Sequence, residues 1–116
     1  MGTKAKILHN PRCTKSREAL NYLEEKGVEI EVVEYLKNGI SKEELAEFIA
    51  STGSDVSEVL RKTEKDFQEH VKGNDLNKDE LLEMMIQYPK LIQRPIVVVD
   101  GKGVIARPFE LIDTIL

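Results

Sequence analysis

The spacing of apolar residues changes period along the chain, and each change marks an element. Residues 5–9 (AKILH) form a short apolar run closed by the turn signal Asn10-Pro11; after Cys13 the period lengthens, so that Ala19, Leu20 and Leu23 share one helical face. Strand, loop and helix are predicted in that order. Gly27 stops the helix, and residues 28–36 (VEIEVVEYL) return to alternation, giving a second strand centred on Ile30 to Val33. Two such strands joined by a helix make a right-handed parallel unit.

Helical spacing then dominates from about residue 40 to residue 90. Ser41 followed by Glu44 predicts a capping box opening a helix with Leu45, Phe48 and Ile49 on its apolar face. Asn77 and Glu80 predict a second, with Leu81, Leu82 and Met85 buried and Pro89 marking its limit. Residues 55–61 and 65–72 read as shorter helical turns, because no Gly/Ser/Pro-rich or low-complexity run separates the two helices. His70, among these charged residues, is expected at the surface.

Strand spacing resumes at residues 95–99 (PIVVV), and the turn Asp100-Gly101-Lys102-Gly103 leads into Val104 to Arg107 as a hairpin. A last helix is expected to present Leu111, Ile112, Ile115 and Leu116, with Pro108 in its first turn. The order β-α-β, helical block, β-β-α predicts an α/β chain of thioredoxin-like fold. It is a mixed four-stranded sheet flanked by helices, with a helical insertion at about residues 40–90 inside a single domain, residues 1–116.

Composition narrows the setting. There is no leader pattern, no apolar run long enough to cross a membrane and no lipidation pattern at either end, so a cytoplasmic protein with no membrane partner is expected. One cysteine in 116 residues excludes an internal disulfide and a cysteine-rich metal framework, and no metal site is expected. The net charge of −4 argues against a nucleic-acid partner. Of 17 basic residues only five are arginine, at positions 12, 17, 61, 94 and 107, against twelve scattered lysines. Arginine is the better residue for forked recognition of an oxyanion.

The stretch HNPRCTKSR, His9 to Arg17, holds the candidate chemistry. Cys13 falls at a strand-to-helix junction, where unpaired amides and the helix dipole favour an anion, and Arg12, Lys15 and Arg17 add positive charge. The expectation is a thiol of lowered pKa, rather than an inert buried cysteine. A dithiol redox pair would need a second cysteine where Ser16 stands, and a Cys-x5-Arg phosphatase cradle would need arginine where Ala19 stands. Any redox cycle must therefore draw its second thiol from outside the chain. His9 either tunes the thiol or simply ends the strand against solvent. Pro95 is a candidate cis proline or an ordinary trans proline opening an edge strand.

Taken together, HNPRCTKSR, LRK at 60–62, RPIVV at 94–98 and RP at 107–108 resemble the glutathione- and glutaredoxin-dependent bacterial arsenate reductases. The likeness runs from Ile7 to Leu116, and the wording around Cys13 is closest to the chromosomal branch of that family. The resemblance implies Cys13 as nucleophile and Arg61, Arg94 and Arg107 as the oxyanion-binding residues. His9, Arg12, Ser16, Arg17 and Pro95 are supporting residues, with Pro95 cis. It implies arsenate or a similar oxyanion as substrate, glutathione as co-substrate and glutaredoxin as partner; no bound cofactor and a monomeric chain are expected beside these. Better-known members carry a small residue before the cysteine and Gly-Thr after it, where this chain has Arg12 and Thr14-Lys15, so a more basic pocket is expected. Two rival readings use the same fold: a glutathione-linked thiol oxidoreductase with another substrate, and an Spx-like regulator that binds RNA polymerase. Ser16 argues against the redox-switched form of the regulator, which carries a Cys-x-x-Cys pair.

Overall fold

The computed structural model describes residues 4–116, and the expected inclusion of residues 1–3 in the domain lies outside them. Strand β1 (Lys4–Leu8), helix α1 (Thr14–Glu25) and strand β2 (Glu29–Val33) follow the spacing of the sequence. The helical block comprises α2 (Tyr35–Asn38), α3 (Lys42–Ser51), α4 (Lys65–His70) and α5 (Lys78–Gln87), with 3-10 turns at Val56–Val59 and Pro89–Leu91. Strands β3 (Ile96–Val99) and β4 (Lys102–Ile105) are joined by Asp100-Gly101, whose φ angles are 50° and 79°. A two-residue hairpin with both residues left-handed favours Asp-Gly, as here.

The sheet order is β2-β1-β3-β4, with β1 and β2 parallel and the other two pairs antiparallel. Successive side chains of the central strands feed opposite faces. Ala5, Ile7, Val97 and Val99 meet Ala19 and Leu23 of α1 together with Ile112. Leu8 and Ile96 join Leu45, Phe48 and Ile49 of α3 and Leu82 and Met85 of α5 in a second core. The sheet thus lies between α1 with the C-terminal segment and the inserted helical block, which is the thioredoxin-like arrangement.

Three expectations are corrected. Tyr35 and Leu36, read as the end of a strand, turn into α2, because β1 ends at Leu8 opposite Val33 and offers no further edge to pair with. The expected last helix is a 3-10 segment, Phe109–Thr114, with Pro108 at its N-cap rather than in its first turn. A period of three brings Phe109, Ile112 and Ile115 to the core, while Leu111 and Leu116 are 36% and 47% exposed. The capping box at Ser41 is half formed: Ser41 Oγ accepts from the Glu44 N–H (3.1 Å), but the Glu44 carboxylate reaches Lys6 on β1 instead (3.4 Å). At Asn77 and Glu80 the box is complete in both directions.

Candidate active site

The strand register brings several chain segments to one edge of the sheet. Leu8 stands opposite Val33 and Ile96, and Ile96 opposite Ile105. The carboxyl ends of β1, β2 and β4 and the amino end of β3 therefore coincide. The segments beyond those ends carry Cys13, Tyr35, Arg107 and Arg94, at the edge where open α/β sheets place ligands. Arg61 reaches the same edge from the insertion. A bridge between Leu60 and Ile92, flanked by Arg61 N–H to Leu91 O (2.7 Å) and Gln93 N–H to Val59 O (2.8 Å), laces the two segments together.

Cys13 is the N-cap of α1, in extended backbone conformation (φ −94°, ψ 123°). Its N–H donates to Asn10 O (3.0 Å), and Asn10 Oδ1 accepts from the Arg12 N–H (3.0 Å), so Asn10 shapes the turn that presents the sulfur. Partial burial pushes the thiol up, but the Ser16 and Lys15 amides and the charges of Arg94 and Arg107 outweigh it, and the thiol lies below its ordinary value. No side-chain cap bond of ordinary geometry is closed at Cys13, and the amides' influence on the sulfur is electrostatic.

Ser16, one helical turn on, is fully buried. Its Oγ accepts from the Asn10 N–H (3.0 Å) and is hydrogen-bonded to His9 Nδ1 (2.7 Å). His9 is 5% exposed, so it does not end the strand against solvent. Burial holds its pKa low, with Arg17 acting in the same direction and Glu34 opposing. A neutral His9 therefore braces Ser16, and through it the turn before Cys13.

The local basic residues act differently from the expectation. Arg17 folds back on the loop, donating from Nη1 to Pro11 O (3.0 Å) and from Nη2 to Thr14 Oγ1 (3.2 Å). Arg12 and Lys15 are exposed, where solvent and salt screen their charge. Lys15 helps the thiolate through its backbone, and the side-chain charges felt most strongly come from Arg94 and Arg107, some eighty or more residues away in sequence. Arg12 lines a separate surface cavity of about 420 Å³ with His9, Pro11, Glu34, Leu36 and Lys37. Outside the site, His70 is half-buried and stacked on Tyr88 with ring centroids 4.2 Å apart, so it is a packing residue.

Arg61 and Arg107 line an open cavity of about 390 Å³ with Glu58, Thr63, Gln93 and Ile105. Arg61 is paired with Glu64 at 2.7 Å, a contact the sequence did not announce. Arg107 Nη1 donates to the backbone carbonyl of Arg94 (3.3 Å). Arg94 itself is half-buried, and its Nε and Nη1 atoms are fully buried without a protein partner. A buried donor left unpaired costs about 1–3 kcal/mol, more when charged. The Arg94–Pro95 bond is cis, as the resemblance implied; the Arg107–Pro108 bond is cis as well.

Sequence reasoning missed Tyr35. It is 1% exposed and contributes to the core beneath the helical block. Burial pushes its hydroxyl up to about 12, while Arg94 and Arg61 pull the other way and Cys13 adds to the rise. The phenol thus lies within electrostatic reach of both arginines and the thiol. Its position just past the end of β2 was the available signal.

The thiol's environment gives a first expected result. The pH profile of iodoacetamide alkylation should place the Cys13 midpoint below the ordinary thiol value, and Arg107→Ala should move it upward by removing a positive charge. Lys15→Ala should leave it in place, since the backbone N–H remains. A profile that moved with Lys15 and not with Arg107 would reverse the assignment.

Comparison with known proteins supplies the family. The ArsC family model matches residues 8–115. The Escherichia coli K12 protein YfgD is 42% identical over 112 residues, covering 95% of this chain and 94% of that protein. An arsenate reductase of Neisseria meningitidis is 37% identical over 113 residues, covering 96% and 97%. The solved structure of an arsenate reductase from Vibrio cholerae superposes over 100% of both chains with a TM-score of 0.94, at 38% identity.

Proposed function

The chain belongs to the ArsC family, and from that premise we propose that it is an arsenate reductase that draws its electrons from glutathione and glutaredoxin. One observation carries the reading: a thiol held below its ordinary value lies within reach of arginine donors, two of whose nitrogens are buried without a protein acceptor. Arsenate is a tetrahedral anion that offers several acceptors at once. Arg61, Arg94 and Arg107 would neutralise it and turn arsenic towards Cys13 Sγ, with Arg61 exchanging its Glu64 partner for an arsenate oxygen.

The reaction then proceeds in three steps. The Cys13 thiolate bonds to arsenic and one oxygen leaves as water, taking up protons. A glutathione thiol attacks the adduct, two electrons pass to arsenic, and arsenite leaves while the two sulfurs are joined as a disulfide. Glutaredoxin exchanges with that disulfide and returns Cys13 to the thiol. The chain's single cysteine supports a cycle with external thiols, because no second thiol is present to resolve the first. In this reading the co-reductant would use the cavity beside Arg12, with Arg12 and Lys37 facing the two carboxylates of glutathione and Glu34 its ammonium. Among the described residues no helix is long and apolar enough to cross a membrane; the setting we propose is the cytoplasm, with the chain working as a monomer.

The test is NADPH oxidation coupled through glutathione and glutaredoxin, with and without arsenate. The expected result is turnover that requires arsenate. Equal turnover without arsenate would replace the reading by a general glutathione-linked oxidoreductase.

A further inference from the structure

Among the described residues three buried side-chain atoms have no protein hydrogen-bond partner, and they are Tyr35 Oη, Arg94 Nε and Arg94 Nη1. They belong to one locus. Arg94 acts on the ionisation of Tyr35 through its charge and through approach of the guanidinium to the phenol oxygen, and Cys13 acts through its charge, yet no hydrogen bond of ordinary geometry joins the phenol to the guanidinium. The phenol oxygen faces a donor in the guanidinium, but the hydroxyl's own proton finds no acceptor in the chain.

Packing does not account for that hydroxyl. The ring of Tyr35 fills the core with Leu8, Leu45 and Ile96, and a phenylalanine ring would fill it as well without desolvating an oxygen. An acceptor placed between the phenol and Arg94 would satisfy both, and it would lie within electrostatic reach of the Cys13 sulfur.

We propose that Tyr35 is a further oxyanion-binding residue, whose hydroxyl donates to an oxygen of the tetrahedral anion held by Arg94 beside Cys13. The inference rests on the oxyanion reading given above and adds a residue to it. Arginines attract any anion by charge, whereas a neutral, fixed donor rewards one placement of the oxygens and so orients the anion for attack. The hydroxyl keeps its proton across the working pH range, because burial holds its ionisation far above neutrality.

Tyr35→Phe removes only the oxygen and leaves the ring in place. The measurement is the arsenate concentration that half-protects Cys13 from iodoacetamide, with the KM for arsenate in the coupled assay beside it. Both should rise about tenfold or more, as for loss of a hydrogen bond to a charged group. The free thiol should alkylate at its original rate, since the groups that lower it are the Ser16 and Lys15 amides with Arg94 and Arg107. The KM for glutathione should not move, which separates the loss from a general loosening of the core. Equal protection of variant and wild type would overturn the proposal alone. Failure of arsenate to protect the wild type would overturn the oxyanion reading and the proposal with it.

Discussion

Cys13→Ser should reduce arsenate-dependent turnover to the level of the enzyme-free assay. Two separate failures produce that loss. A serine hydroxyl stays protonated where the Cys13 thiol, held down by the helix amides and by Arg94 and Arg107, supplies a thiolate. And even an ester formed with arsenic could not be resolved, because oxygen cannot take part in the disulfide through which the proposed cycle draws its electrons from glutaredoxin. The fold should be indifferent. Cys13 occupies an N-cap position, where serine is among the preferred residues, so the melting temperature is expected to hold or rise slightly. Arsenate should still bind, and thermal stabilisation by arsenate would show it. Normal arsenate-dependent NADPH oxidation by Cys13→Ser would remove Cys13 from the mechanism.

The candidate nucleophile was legible because its signal is local: a single cysteine after Asn-Pro, at the point where strand spacing gives way to helix spacing. The central strands and the helices α1, α3 and α5 were legible for a similar reason, since each buries one face and writes its period into the sequence. What the sequence could not show is which distant groups meet. The helix-end amides expected to lower the Cys13 thiol do lower it, but the strongest side-chain charges come from Arg94 and Arg107 across the sheet rather than from Arg12, Lys15 and Arg17, its neighbours in the chain. Those positions came from resemblance to a family and not from spacing. Tyr35 stayed hidden in an alternating run, because the end of a strand is set by where its partner stops, at Leu8, and not by its own residues. The 3-10 character of Phe109–Thr114 was equally out of reach, since periods of 3 and 3.6 barely diverge over six residues.

Removal of Arg94 should separate activity from stability. Arg94→Ala is expected to lower kcat/KM for arsenate by about 10²–10³-fold, the effect of deleting one well-placed oxyanion donor. Arg94→Lys should recover part of this, because a point charge replaces the fork but cannot present two nitrogens in one plane. Stability should change the other way. In the anion-free protein Nε and Nη1 are buried without partners, and each such donor is a cost to the fold. Arg94→Leu keeps an apolar stem in roughly the same space and removes the unpaired charge, so its melting temperature without anion should equal or exceed that of the wild type. Saturating arsenate should invert the order: the wild type gains about 2.7 kcal/mol at a hundredfold excess over its dissociation constant, and the variant gains far less. The crossing of the two stability curves is the decisive observation. A variant less stable than the wild type in the absence of anion would make Arg94 a structural residue. The buried donors would then have to be explained by the fold rather than by a bound anion.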